Sequence, residues 1–231
     1  MENNNRPLVS VIIPTYNSEI YLSESINSIL SQSYTNFEII IIDDGSTDNT
    51  RQLITKFGDR VQYIYQEHMG ISSALNNAIK YSSGIYLSFL DADDLWTSNK
   101  LKLQLSLIMD KPEIDMVFGH ISQFISPELS TKETKNFHCP NSPMPGYSRT
   151  AMLIGKESYS RVGSFSEKYT TGEFIDWYLR AQDVGLKSYL LSDIVLMRRI
   201  HKNNTTKNKE KLGEDYIRLL KSSINRRRDK T

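Results

Sequence analysis

Phe37-Glu38-Ile39-Ile40-Ile41-Ile42-Asp43-Asp44-Gly45-Ser46 is a row of four isoleucines that ends in two carboxylates, a glycine and a serine. An unbroken run of β-branched apolar residues suits a strand buried on both faces, the pattern of a parallel sheet. A parallel neighbour needs a crossover, and the chain before the run supplies one. Leu8 to Ile13 reads as a buried strand stopped by Pro14. Ile20 to Gln32 then carries Leu22, Ile26, Ile29 and Leu30 at helical spacing. After the run, Thr47 or Asp48 caps a helix to about Phe57. Val61 to Tyr65 is a third strand, Ile71 to Tyr81 a third helix, and Ile85 to Leu90 a fourth strand entering Asp91-Ala92-Asp93-Asp94. Alternation of this kind predicts an α/β fold, with a mainly parallel sheet covered by helices on both faces. Ligands of such sheets bind beyond the C-terminal strand ends. Thr15-Tyr16-Asn17, Asp43-Asp44 and Asp91 to Asp94 all fall at such ends, so topology alone gathers them on one rim.

The second half is less regular. Asn99 to Met109 predicts an amphipathic helix and Asp115 to Phe124 a strand. Ser126 to Met144, with Pro127, Pro140, Pro143 and the adjoining Pro145, reads as a long loop over the site. Ala151 to Ser160 reads as strand then helix. Ile175 to Val184 is helical with Gly185 as its stop. Leu186 to Met197 returns to strand character, and Leu212 to Ile224 forms a terminal helix ending at Arg226-Arg227-Arg228.

Composition narrows the function classes. The 231 residues are 39% hydrophobic and 10% aromatic, enough for a sizeable core. Lys and Arg total 28 against 27 Asp and Glu, a net charge of +1 that argues against a nucleic-acid binder. One cysteine, Cys139, excludes a disulfide framework. With no membrane-length apolar run and no secretory signal after Met1, the reading is a soluble, cytoplasmic protein. The charge is unevenly divided. Residues 198–231 hold 12 Lys or Arg against 4 Asp or Glu, a balance of +8, which leaves −7 on residues 1–197.

Asp91-Ala92-Asp93-Asp94 packs three carboxylates into four residues, which repel unless a cation or hydrogen-bond donors offset them. A hard divalent cation, Mg²⁺ or Mn²⁺, suits that oxygen set and leaves positions for phosphate. Taken alone, the run also reads as a solvated turn in which Asp93 or Asp94 caps a helix. Asp43-Asp44-Gly45-Ser46 is likewise a plain strand-ending turn, or a site where Asp44 accepts hydrogen bonds from a base or ribose. Neither Gly-x-Gly-x-x-Gly nor Gly-x-x-x-x-Gly-Lys-Ser/Thr occurs, which leaves a dinucleotide fold and a P-loop NTPase without support. A nucleotidyltransferase would carry a Gly-rich basic loop where Pro14-Thr15-Tyr16-Asn17 stands.

Four segments together resemble the family 2 glycosyltransferases: Val11 to Asn17, Ser28 to Ser33, Glu38 to Asp48 and Gly84 to Asp94. The resemblance covers about residues 7 to 110 in order and spacing, and returns at 172–180 and 198–204. It implies a GT-A fold, a Rossmann-like mainly parallel sheet with helices on both faces, here followed by a C-terminal helix. It divides the chain into a single glycosyltransferase domain, 1–206, and a basic helix and tail, 207–231. Within the domain, 7–95 is the nucleotide-sugar half and 96–206 the acceptor half.

The resemblance also assigns roles. Pro14, Thr15 and Tyr16 match the loop that holds the nucleotide base, and Asp44 the carboxylate that recognises it, usually uracil. Asp91 matches the ribose or sugar contact, and Asp93 the ligand that holds the metal on the diphosphate. Gly172 to Arg180 looks like the segment with the general base. There Phe174 stands at the usual acidic position, so Glu173 and Asp176 are the catalytic candidates and Glu173 is favoured. Both residues also suit a helix N-terminus for purely electrostatic reasons. Leu75 occupies a place where many members carry Arg. Arg198 to Asn204 resembles a late segment in which His201 contacts metal or diphosphate and Arg199 pairs with phosphate; it also reads as a basic turn. Trp177, beside the base candidates, is placed to stack on an acceptor sugar, whereas Trp96 reads as core.

The function implied is a metal-dependent inverting transferase that moves a sugar from a nucleotide-sugar, most simply a UDP-sugar, to a carbohydrate or glycolipid acceptor in bacterial polysaccharide or glycoconjugate synthesis. The alternative is a nucleotide-sugar-binding module that has lost turnover, motivated by Phe174. The basic C-terminus suggests peripheral contact with the inner membrane face.

Overall fold

The computed structural model describes residues 6–135, 137–169, 171–202, 204 and 209–228. Four parallel strands form one half of a nine-stranded sheet: β3 (Gln62–Gln66), β2 (Phe37–Asp44), β1 (Val9–Thr15) and β4 (Tyr86–Phe89), in that spatial order. The order continues through β8 (Leu153–Gly155), β6 (Met116–Ile125), β9 (Ser188–Ile200) and β5 (Leu95–Trp96), with β7 (Met144–Pro145) paired to β6. β8 is antiparallel to both β4 and β6, while β9 returns parallel to β6. The sheet thus changes direction at β4/β8, the strand pair beside the rim.

The isoleucine run behaves as an interior strand should. Ile39 to Ile42 are at most 2% exposed, and alternate residues point to opposite cores. Ile39 and Ile41 join Val9, Val11 and Ile13 beneath α1 (Leu22–Leu30), α2 (Thr50–Thr55) and α4 (Lys100–Asp110). Ile40 and Ile42 join Ile12 beneath α3 (Ile71–Lys80), α6 (Lys156–Val162) and α7 (Glu173–Asp183). Helices therefore cover both faces, and burying each such side chain contributes about 1.5–3 kcal/mol.

Local deviations have local causes. Pro14 does not stop β1, which runs on to Thr15 in register with Asp43. α2 begins later than expected, at Thr50, whose amide donates to Asp48 Oδ1, and a 3-10 turn at Gly58–Arg60 follows it. The proline-rich stretch after β6 contains a short helix, α5 (Thr131–Thr134), before β7. The terminal helix α8 (Lys209–Arg228) packs on α7, with Leu219 almost fully buried.

Candidate active site

Register brings the rim together. Thr15 lies beside Asp43, and Leu90 donates its amide to Ile12 O, so the chain leaves β1, β2 and β4 at one level. The Asp43 carboxylate accepts from Ser46 N at 2.9 Å and from Tyr63 OH at 2.9 Å, which fixes the turn after β2. Burial and the Asp43 charge push the Tyr63 phenol well above its ordinary pKa. Gly45 follows at φ +81°, and a Cβ there would lie 2.8 Å from His68 N, so the turn needs glycine for both reasons.

Asp44 is 4% exposed and fully engaged. Oδ1 accepts from Gln66 Nε2 at 2.7 Å and Met69 N at 2.9 Å; Oδ2 accepts from Gly70 N at 2.9 Å and lies 2.9 Å from His68 Nδ1. A carboxylate has about four such acceptor positions. Asp44 therefore organises the loop between β3 and α3. The exposed rings beside it are Tyr16 and His68, stacked with centroids 4.3 Å apart. Pro14 and Thr15, which precede Tyr16 in the chain, are both buried, and Thr15 Oγ1 has no hydrogen-bond partner among the described residues.

Asp91, Asp93 and Asp94 each offer an oxygen within 4.8 Å of the others. Asp94 is the buried member. Desolvation and the charges of Asp93 and Asp91 hold its pKa well above the usual carboxylate value. Its Oδ1 accepts from Arg199 N at 2.9 Å. Asp91 and Asp93 keep 38% and 32% of their side-chain surface exposed, and His201 Nε2 stands 2.9 Å from Asp93 Oδ2. An exposed pair of carboxylates with an imidazole alongside and a third carboxyl tied back fits a hard divalent cation.

Arg199 is 1% exposed, and its guanidinium is used within the protein. Nε donates to Asp93 O, Nη1 to Ser126 Oγ and Nη2 to Glu24 Oε2, and the plane lies over Tyr21 and Phe124. The structure thus places Arg199 behind the acidic loop, as a clamp on its backbone.

The base candidates separate. α7 starts at Glu173 after Gly172, which adopts φ +83°. Glu173 faces the rim with Oε1 3.8 Å from Arg149 Nε. Asp176, one turn on, is buried in ion pairs with Arg180 at 2.8 Å and Arg226 of α8 at 3.3 Å. Phe174 turns into the core against Phe118, Trp177 and Tyr178. Trp177 corrects the expectation of an acceptor platform. It is fully buried, stacked on Tyr159, with Nε1 donating to Gly163 O at 2.9 Å. Its position on α7 is one helical turn past Glu173, on the face that packs on the sheet. Trp96 is core as expected.

Sequence reasoning missed Arg149. It opens a 3-10 turn, Arg149–Ala151, just before β8, and it is 6% exposed. Nη2 donates to Asp91 Oδ1 at 2.6 Å, so the guanidinium lies between Asp91 and Glu173. Burial opposes its charge, but the two carboxylates outweigh burial and raise its pKa. The one signal in the sequence is that no other Lys or Arg occurs between Lys135 and Lys156.

Comparisons with known proteins agree with this geometry. The model of "Glycosyl transferase family 2" matches residues 10–166. An uncharacterized glycosyltransferase of Rickettsia typhi is 33% identical over 236 residues, covering 94% of this chain and 72% of its own length. The Escherichia coli protein WfgD, named a UDP-Glc:alpha-D-GlcNAc-diphosphoundecaprenol beta-1,3-glucosyltransferase, is 39% identical over 135 residues, covering 54% of this chain and 53% of its own length. Among solved structures, the Pyrobaculum calidifontis mannosyltransferase PcManGT, in complex with GDP-Man and Mn²⁺, superposes with a TM-score of 0.71 at 20% identity. That match covers 96% of this chain and 65% of that one. The family match over most of the chain, together with the GT-A architecture around the rim, makes this protein a family 2 glycosyltransferase.

Proposed function

We propose that the protein is a metal-dependent, inverting glycosyltransferase that uses a nucleotide-sugar, with UDP-sugars as first candidates, and Mn²⁺ or Mg²⁺. The observation that carries this reading is the continuous line from Asp93 and Asp91 through Arg149 to Glu173, which sets two half-exposed carboxylates on one side of the buried guanidinium and Glu173 on the other. Asp93, Asp91 and His201 would hold the cation, whose chemistry is to neutralise charge on the departing diphosphate. Tyr16 and His68 would take the base by stacking. Glu173 removes the acceptor hydroxyl proton, and one displacement at the anomeric carbon inverts it. Asp176, with both oxygens in buried ion pairs, supports α7 and stays out of the chemistry. Arg199 serves the phosphates indirectly, by holding the loop that carries Asp93. The UDP-sugar assignment takes support from the name of WfgD, and the Mn²⁺ assignment from PcManGT.

The acceptor we infer is a carbohydrate or glycolipid of bacterial surface-polymer synthesis, met at the cytoplasmic face of the membrane. No helix among the described residues is long and apolar enough to cross a membrane. α8 presents Ile217, Leu220 and Ile224 on its exposed face at i, i+3 and i+7, with Lys221 and Arg227 beside them. That pattern suits the surface of an anionic bilayer.

A thermal-denaturation screen of nucleotide-sugars, with and without Mn²⁺, tests the donor site. The reading expects at least one UDP-sugar to raise the melting temperature only when Mn²⁺ is present. Stabilisation by no nucleotide under either condition contradicts it.

A further inference from the structure

We propose that Arg149 is the resident counter-ion of the acidic rim, surrendering Asp91 when a divalent metal takes that carboxylate and turning its freed N–H groups to the sugar of the bound donor. The inference rests on the reading of Asp91 and Asp93 as metal ligands, and it concerns a residue outside that ligand set.

Two observations carry it. Arg149 is 94% buried, yet Nε and Nη1 have no hydrogen-bond partner among the described residues. Guanidinium N–H groups left unmade in a buried place are unfavourable, and they persist where another state of the site uses them. The same guanidinium bridges the two sides of the site, with Nη2 2.6 Å from Asp91 Oδ1 and Nε 3.8 Å from Glu173 Oε1.

The second observation is the charge balance. Three carboxylates converge within 4.8 Å, and Arg199 is committed to Glu24, Ser126 and the Asp93 carbonyl. Arg149 is the cation that faces Asp91 directly, so it occupies electrostatically the role a metal would take over. A divalent cation on the same carboxylate would bring two positive charges close together, which weakens the Asp91–Arg149 pair. Glu173 then remains as the charge partner of Arg149. Its spare N–H groups are then hydrogen-bond donors for hydroxyl oxygens, and the proposal assigns them to those of the donor sugar.

The test compares wild type with Arg149→Gln and Arg149→Lys. Calorimetry with Mn²⁺ alone should give tighter binding in Arg149→Gln, on the order of tenfold, because the competing cation is gone. Arg149→Lys keeps the charge and should bind Mn²⁺ as wild type does. A residue that merely supports the fold would leave Mn²⁺ affinity unchanged or weaken it, and that result in folded Arg149→Gln overturns the proposal. With Mn²⁺ present, the preference for UDP-glucose or UDP-GlcNAc over UDP should shrink towards unity in both variants. An undiminished preference overturns the sugar contact. Should Arg149→Gln fail to fold, the wild-type Arg149 Nε–H resonance decides: titration with Mg²⁺ should shift it, and an unmoved signal at saturating Mg²⁺ counts against displacement. Wild type that binds neither Mn²⁺ nor UDP defeats the metal–donor reading itself, a separate outcome from failure of Arg149.

Discussion

At the scale of single residues, the site divides into groups that face the gap and groups that hold them there. Asp93 faces it, Arg199 and Asp94 sit behind it, and the two roles predict different losses. Asp93→Ala should abolish the Mn²⁺-dependent part of UDP binding in calorimetry while leaving the fold intact; unchanged affinity with Mn²⁺ contradicts the metal assignment. Asp44→Asn should instead loosen the 66–70 loop, because Met69 N and Gly70 N lose a charged acceptor. Hydrogen bonds to charged groups contribute about 1.5–3 kcal/mol each, so the expected signature is a lowered melting temperature without ligand. Equal stability of the variant would argue that Asp44 is free for the base. The acidic residues were legible in the sequence because strand ends and carboxylate spacing are local. Arg149 was not, since its role depends on two partners 58 and 24 residues away in the chain. The split between Glu173 and Asp176 was equally hidden, because it depends on Arg226 arriving from another helix.

At the scale of elements, α7 and α4 carry the tension between packing and chemistry. α7 can present Glu173 only because Gly172 enters at φ +83°, where an added Cβ would also meet Leu219 Cδ1 at 2.8 Å. Gly172→Ala should cost about 1–2 kcal/mol from the backbone alone, read as a lower denaturation midpoint. No loss would mean the entry to α7 is not constrained. α4 buries Lys100 with Nζ hydrogen-bonded to Ser88 Oγ, Gln104 Oε1 and Met152 O and placed over the Trp96 ring, with no carboxylate among these partners. Burial pulls its pKa well below the ordinary lysine value. Between that lowered pKa and the ordinary one, the unfolded chain holds a proton that the folded chain does not, so this group's contribution to stability rises with pH. The stability of wild type relative to Lys100→Met should therefore increase as pH rises towards the ordinary lysine value in denaturant unfolding; a flat difference contradicts a lowered pKa. The parallel half was readable from apolar runs and helical periods. The β4/β8 reversal was not, because short strands such as Leu153–Gly155 are defined by their partners more than by their own pattern.

At the scale of the whole molecule, the division into an acidic body and a basic C-terminal region acquires a shape. Asp43, Asp44, Asp91, Asp93 and Asp94 of the body lie at one rim, and α8 folds back on α7, spending Arg226 and Arg227 on Asp183 and Asp176 while leaving an apolar stripe outward. Replacing Ile217, Leu220 and Ile224 together with Ser should cut co-sedimentation with anionic liposomes several-fold, with little effect on zwitterionic ones. Equal binding by the variant contradicts membrane contact through this face. In the proposed function, the rim binds a nucleotide-sugar through its metal and Glu173 drives turnover. That reading is tested by UDP release from a nucleotide-sugar that the protein binds, with water taking the sugar as acceptor, in wild type and Glu173→Gln at saturating donor and Mn²⁺. Wild type should release UDP steadily, while Glu173→Gln should bind the donor equally and turn over about 10²-fold or more slowly. Equal rates in the two proteins, or tight binding by wild type with no release, would contradict it.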